Sequence, residues 1–126
     1  MSDVSNEVVC GTSWVEEATA ARDALRQLAD ESGMTFDELL ELWSTDTATQ
    51  LAAASAALVA GNLGEAARLV HSASGASGIC QIATLAEELK TAENLAKDGR
   101  ADAATEALNK AERRFKAINT ALNRGT

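Results

Sequence analysis

The chain has 126 residues, a formal net charge of −8, one histidine, two cysteines and neither proline nor tyrosine. That length supports one core and no second domain. One His and two distant Cys are too few for a zinc site built from those ligands, and so acidic a chain lacks the basic face that phosphate contacts require, which argues against nucleic-acid binding.

With 27 alanines and 14 leucines, the composition favours helices over sheet. Residues 1–11 read as a flexible tail ahead of a single helical domain over 12–126. A first helix is expected over 12–32, capped by Thr12 or Ser13, with Trp14, Ala18, Ala21, Leu25 and Leu28 on one face. Gly33 ends it. Thr35 starts a second helix, with Glu38 three residues on completing a capping box. Its apolar face is Phe36, Leu40, Trp43, Thr47, Leu51, Ala54 and Leu58, and Gly61 stops it.

Asn62 with Glu65 is a second box-like start. The third helix then carries Ala66, Leu69, Val70, Ala73, Ser77 and Cys80 on one face. It passes through Gly75 and Gly78, each costing up to about 1 kcal/mol relative to Ala, so the helix bends or ends nearby unless something offsets them. A fourth helix covers about 80–97 with Ile82, Leu85, Leu89, Ala92 and Ala96 inward, and Gly99 ends it. A fifth covers about 101–123 with Ala104, Leu108, Ala111, Phe115, Ile118 and Leu122 inward. Short connections make successive helices antiparallel neighbours. The fold expected is therefore all-α: an antiparallel up-down four-helix bundle over about 36–123, with an additional N-terminal helix on its side or across one end.

The charge is uneven. Residues 1–60 hold 11 acids and 2 bases, whereas residues 61–126 hold 8 acids and 9 bases. The acidic half reads as a solvated helical face, or less simply as a docking surface for a basic partner. No run is long and apolar enough for a membrane span, and no signal-peptide pattern is visible. A cytoplasmic chain with free thiols at Cys10 and Cys80 is the simplest expectation.

His71 is the one candidate for chemistry. It sits about 100° round the third helix from the inward Val70. Its neighbours at helical spacing are Gly64, Arg68, Gly75 and Gly78, with Ser74 at the margin. An imidazole among glycines lets another macromolecule approach closely. A neutral imidazole is a good nucleophile near pH 7, and phosphoryl transfer needs positioning and charge neutralisation more than acid–base machinery. Each residue also has a plainer role. A lone helical His is usually a boundary residue, the glycines can serve helix packing, and Arg68 can be a solvated charge. Cys80 can be a small buried hydrophobe, and Trp14 and Trp43 can be core anchors. Gly75-Ala76-Ser77-Gly78 is not a phosphate loop, for it lacks the Lys-Ser/Thr ending and the preceding strand.

The run Ala66-Ala67-Arg68-Leu69-Val70-His71-Ser72-Ala73-Ser74-Gly75-Ala76-Ser77-Gly78 resembles the signature of the histidine phosphotransfer (HPt) domain. Phe36 to Trp43, then Leu51 to Asn62, look like that family's long helix and turn. Leu85, Leu89 and Glu93 fall where its next helix has leucines and an acid or amide. The resemblance implies that His71 is phosphorylated on Nε2, taking the group from the aspartate of one response-regulator receiver domain and passing it to another. It implies receiver domains, and a hybrid histidine kinase, as partners. The chain itself would need no cofactor, have no kinase activity and hold no metal, with Mg²⁺ on the receiver. Gly75 would clear the approach, and Gly78 would belong to the same docking face. Ser74 stands where the family usually has Lys or Arg, leaving its hydroxyl and Arg68 to hold the phosphoryl group. Gln81 stands where many members have another glycine, and either crowds the face or hydrogen-bonds the phosphate. These departures leave an alternative: a degenerate module that binds or sequesters a regulator without phosphotransfer.

Overall fold

A computed structural model describes the backbone of residues 2–80 and 82–124 and the side chains of 16, 18–80 and 82–123. Among them are five helices and no strand: α1 (Ser2–Ser32), α2 (Phe36–Val59), α3 (Leu63–Ile79), α4 (Ala83–Lys97) and α5 (Ala101–Arg124). Helical backbone thus begins at Ser2, ahead of the start expected at residue 12. The side chains of the segment read as a tail, and those of Thr12, Ser13 and Trp14, lie outside the described residues.

Local chemistry sets the breaks between helices. At the start of α2, Thr35 Oγ1 accepts from the Glu38 backbone N–H at 3.0 Å, while the Thr35 N–H donates to Glu38 Oε1 at 2.9 Å. Both halves of the expected capping box are present. At α3 only one half forms. Asn62 Oδ1 accepts from the Glu65 N–H at 3.4 Å. The Glu65 carboxylate turns instead to Arg68, which grips it through two N–H groups at 2.9 and 2.6 Å. A charged fork outcompetes a neutral backbone donor for the same carboxylate.

The helix ends at Gly61 and Gly99 share one geometry. Both glycines sit at positive φ, 79° and 78°. The residue after each donates five residues back, Asn62 to the Ala57 carbonyl and Arg100 to that of Leu95. An L-residue with a Cβ resists this left-handed turn, and glycine does not.

Three-residue connections join α2 to α3, α3 to α4 and α4 to α5, so each successive pair runs antiparallel. The α5 helix returns against α2 and closes the four-helix bundle, while α1 lies along its side, mainly on α5 with a smaller contact to α2. The expected inward faces of α4 and α5 are buried at every position from Ile82 to Ala96 and from Ala104 to Leu122 that the periodicity picks out. On α1, Ala18, Ala21 and Leu25 are buried as expected. Ala29 completes the stripe in place of Leu28, which is half-buried. Trp43 of α2 meets Phe115 of α5 edge to face, with ring centroids 5.2 Å apart. Much of the remaining core is alanine, which lets helix axes approach closely at little side-chain entropy cost.

Candidate functional site

Only one side of α3 faces the core, because its apolar residues recur every three to four positions. Val70 and Ala73 are buried. His71, the next residue round the helix, stands outside that stripe with two-thirds of its side chain, 67%, exposed. A shallow groove opens beside it, lined by Gly64, Ala67, Arg68 and His71 from α3 and by Glu93 and Lys97 from α4.

Glu93 is the unexpected member. It lies on the inward stripe of α4 between Leu89 and Ala96, and its side chain is 1% exposed. Both of its partners are exposed, so its carboxylate lies close beneath the surface. Its Oε1 lies 3.1 Å from His71 Nδ1 and its Oε2 lies 2.7 Å from Lys97 Nζ. Burial pushes this carboxyl upward. The hydrogen bonds and charges of Lys97 and His71 outweigh burial, so Glu93 ionises below the ordinary carboxylate range. An ionised carboxylate only accepts, so the proton between it and the imidazole belongs to Nδ1. In the neutral ring this leaves Nε2 without a proton, its lone pair on the side of the ring away from Glu93.

The other expected site residues fall as follows. Arg68 lies on the groove wall one turn before His71, exposed and tied to Glu65. Ser74 turns away from the groove, its Oγ donating to the Ala86 carbonyl of α4 at 2.9 Å, which spends its one proton on joining the two helices. Gly75 and Gly78 are exposed in the last turns of α3, and a Cβ built on either meets nothing within 4 Å. The helix ends at Ile79, directly after them. Gln81 lies outside the described residues. On the other side of α3, Gln50 donates to the Ser72 hydroxyl at 3.0 Å. Cys80 is buried at the end of α3, and burial pushes its thiol up to about 11, so it is protonated and inert at neutral pH.

Two charged residues of the groove, Glu93 and Lys97, were not singled out from the sequence as site residues. Glu93 left a signal, a carboxylate on an otherwise apolar helical stripe, which is costly unless paired. Lys97 left none beyond its spacing of four from Glu93, a common surface pairing.

The described residues thus form an α-helical bundle that exposes an imidazole, pairs it with a carboxylate from the next helix and sets a glycine in the groove beside it. The family model of the Hpt domain matches residues 38–124, and the chain belongs to that family. No curated protein and no solved structure matches the chain. Membership gives it a phosphotransfer-type role in two-component signalling, and Hpt domains in general interact with receiver domains and histidine kinases. Among the described residues no helix is long and apolar enough to cross a membrane.

Proposed function

We propose that the protein is a phosphorelay carrier in which His71 Nε2 takes a phosphoryl group from a receiver aspartate and hands it to a second receiver. The observation that carries this reading is the pairing of an exposed imidazole with a buried carboxylate at its Nδ1. An unanchored surface histidine would rotate freely and share its proton between both nitrogens. Here one nitrogen is occupied, which supports the other as the nucleophile of an exposed ring.

In the forward step the Nε2 lone pair attacks phosphorus, and the bond from phosphorus to the aspartyl oxygen breaks with its electron pair returning to that carboxylate. No proton moves, because Nδ1 keeps its hydrogen throughout. The ring gains one positive charge, which the Glu93 carboxylate stabilises across 3.1 Å. Transfer onward is the same step reversed on a second aspartate. Arg68 borders the path of the incoming phosphate, and Gly75 and Gly78 leave room for the partner's backbone. Magnesium belongs to the receiver. Ser74 has its proton on Ala86, so its part is to hold α3 against α4.

The test is incubation with a receiver domain bearing labelled aspartyl phosphate. The wild-type chain should acquire acid-labile, base-stable label. His71→Gln should acquire none while keeping its helical circular dichroism. Label persisting in that variant would remove the proposal. Stable binding of the receiver with no transfer to the wild type would favour a sequestering module instead.

A further inference from the structure

A phosphoryl group on His71 brings two negative charges to an α3 surface that offers little to neutralise them. The position three residues after His71 holds Ser74, whose proton is spent on Ala86. Arg68 already gives two of its five N–H groups to Glu65, whose negative charge offsets its own. The remaining cation on the wall of this groove is Lys97, from the neighbouring helix.

Resting on the carrier reading above, we infer that Lys97 is the phosphoryl-binding cation of this site, supplied by α4 and aimed by Glu93. The geometry supports it in three ways. First, Glu93 holds the two groups side by side, with one carboxylate oxygen on His71 Nδ1 and the other on Lys97 Nζ. That bridge keeps the ammonium one carboxylate away from the imidazole, in the same groove. Second, donor arithmetic leaves capacity. The Lys97 ammonium has three N–H donors, and Glu93 Oε2 uses one at 2.7 Å. The other two can take phosphoryl oxygens without breaking the Glu93 contact. Third, the lysine side chain is 59% exposed. Its head is therefore open to an incoming group, while Glu93 limits how far it wanders.

Glu93 and Lys97 lie four apart on α4, so both project from one face of one helix. Glu93 thereby does two things at once. It fixes which ring nitrogen is the nucleophile, and it keeps a cation in the groove that His71 lines. Because that cation comes from α4, cationic stabilisation in this chain depends on α3–α4 packing and not on the sequence next to the histidine.

The experiment compares wild type, Lys97→Gln and Lys97→Arg. Each is phosphorylated chemically with phosphoramidate, which needs no partner, and separately by a labelled receiver domain. The inference predicts that Lys97→Gln slows uptake from the receiver about tenfold, less than losing a donor in an enclosed site costs, because solvent screens an exposed charge. Lys97→Arg should restore most of that loss. In the wild type, the Lys97 ammonium ¹⁵N–¹H resonance should shift when His71 is phosphorylated with phosphoramidate, a response that a purely structural Lys97–Glu93 pair would not give. Wild-type transfer rates in Lys97→Gln, or no Lys97 response to phosphorylation, would overturn the assignment while leaving His71 as the carrier. If the wild type takes no label from the receiver, the carrier reading itself fails and this inference falls with it.

Discussion

Glu93 shows how one side chain can tie stability to chemistry. Its carboxylate is hidden from solvent but accepts from His71 and Lys97 together. Because its folded-state pKa is depressed, it contributes stability above the ordinary carboxylate range and loses that contribution as pH falls through its lowered value. Glu93→Gln should therefore lower stability by about 1.5–3 kcal/mol near neutral pH, the usual worth of a hydrogen bond to a charged group. The deficit should shrink as pH falls through the ordinary carboxylate range and below it, where the wild-type carboxylate also protonates. Chemical denaturation of both proteins at several pH values checks this, and a deficit that did not vary with pH would contradict it. The amide still presents an oxygen to Nδ1–H, so phosphotransfer should weaken rather than vanish. The sequence matched Glu93 to a family position that holds an acid or amide. What it lacked was the partner, because His71 lies 22 residues away on another helix.

At the level of elements, α3 is where stability and use pull apart. Gly75 and Gly78 cost helix propensity, and neither is needed for backbone conformation or for clearance inside the molecule, since a Cβ at each meets nothing within 4 Å. Gly75→Ala should therefore raise stability by about 0.5–1 kcal/mol, visible as a higher denaturation midpoint. If the bare backbone serves a docking partner, the same variant should accept phosphate normally from phosphoramidate but more slowly from a receiver. Equal receiver rates would return Gly75 to a purely local role. The boundaries of α2 and α3 were legible because caps and glycine stops act within a few residues. The incomplete box at Asn62 was not, because its outcome rested on competition: Glu65 had both a backbone amide and the Arg68 guanidinium within reach, and the charged donor won. Ser74 is a similar case. Read along α3 it was a hydroxyl near the histidine. In three dimensions it donates to a carbonyl of α4.

Across the whole molecule, α1 joins the bundle through a narrow stripe of small residues around one leucine. Ala18, Ala21, Leu25 and Ala29 are buried, and the Arg22 guanidinium donates to the Ala121 carbonyl at 3.1 Å, tying α1 to the end of α5. Leu25 is fully buried. Leu25→Ala should cost about 2–5 kcal/mol, the range for removing a buried leucine side chain. If α1 and the bundle unfold as one unit, circular dichroism and tryptophan fluorescence should give coincident denaturant transitions in the variant. Two separated transitions would show α1 detaching on its own.

The sequence by itself determined the helical class, the inward stripes, the stops at Gly61 and Gly99 and the singular position of His71 on an outward face. Each of these follows from chemistry within a turn or two of helix, where spacing in the chain is spacing in space. Only the tertiary structure decided that Glu93 meets His71, that Lys97 stands beside them and that Ser74 turns away. Periodicity gives each residue an angle about its own helix axis, but it says nothing of how far one helix slides or rotates against the next. That register is set by packing of the alanine-rich core between α3 and α4, and it turns a lone histidine into a row of carboxylate, imidazole and ammonium.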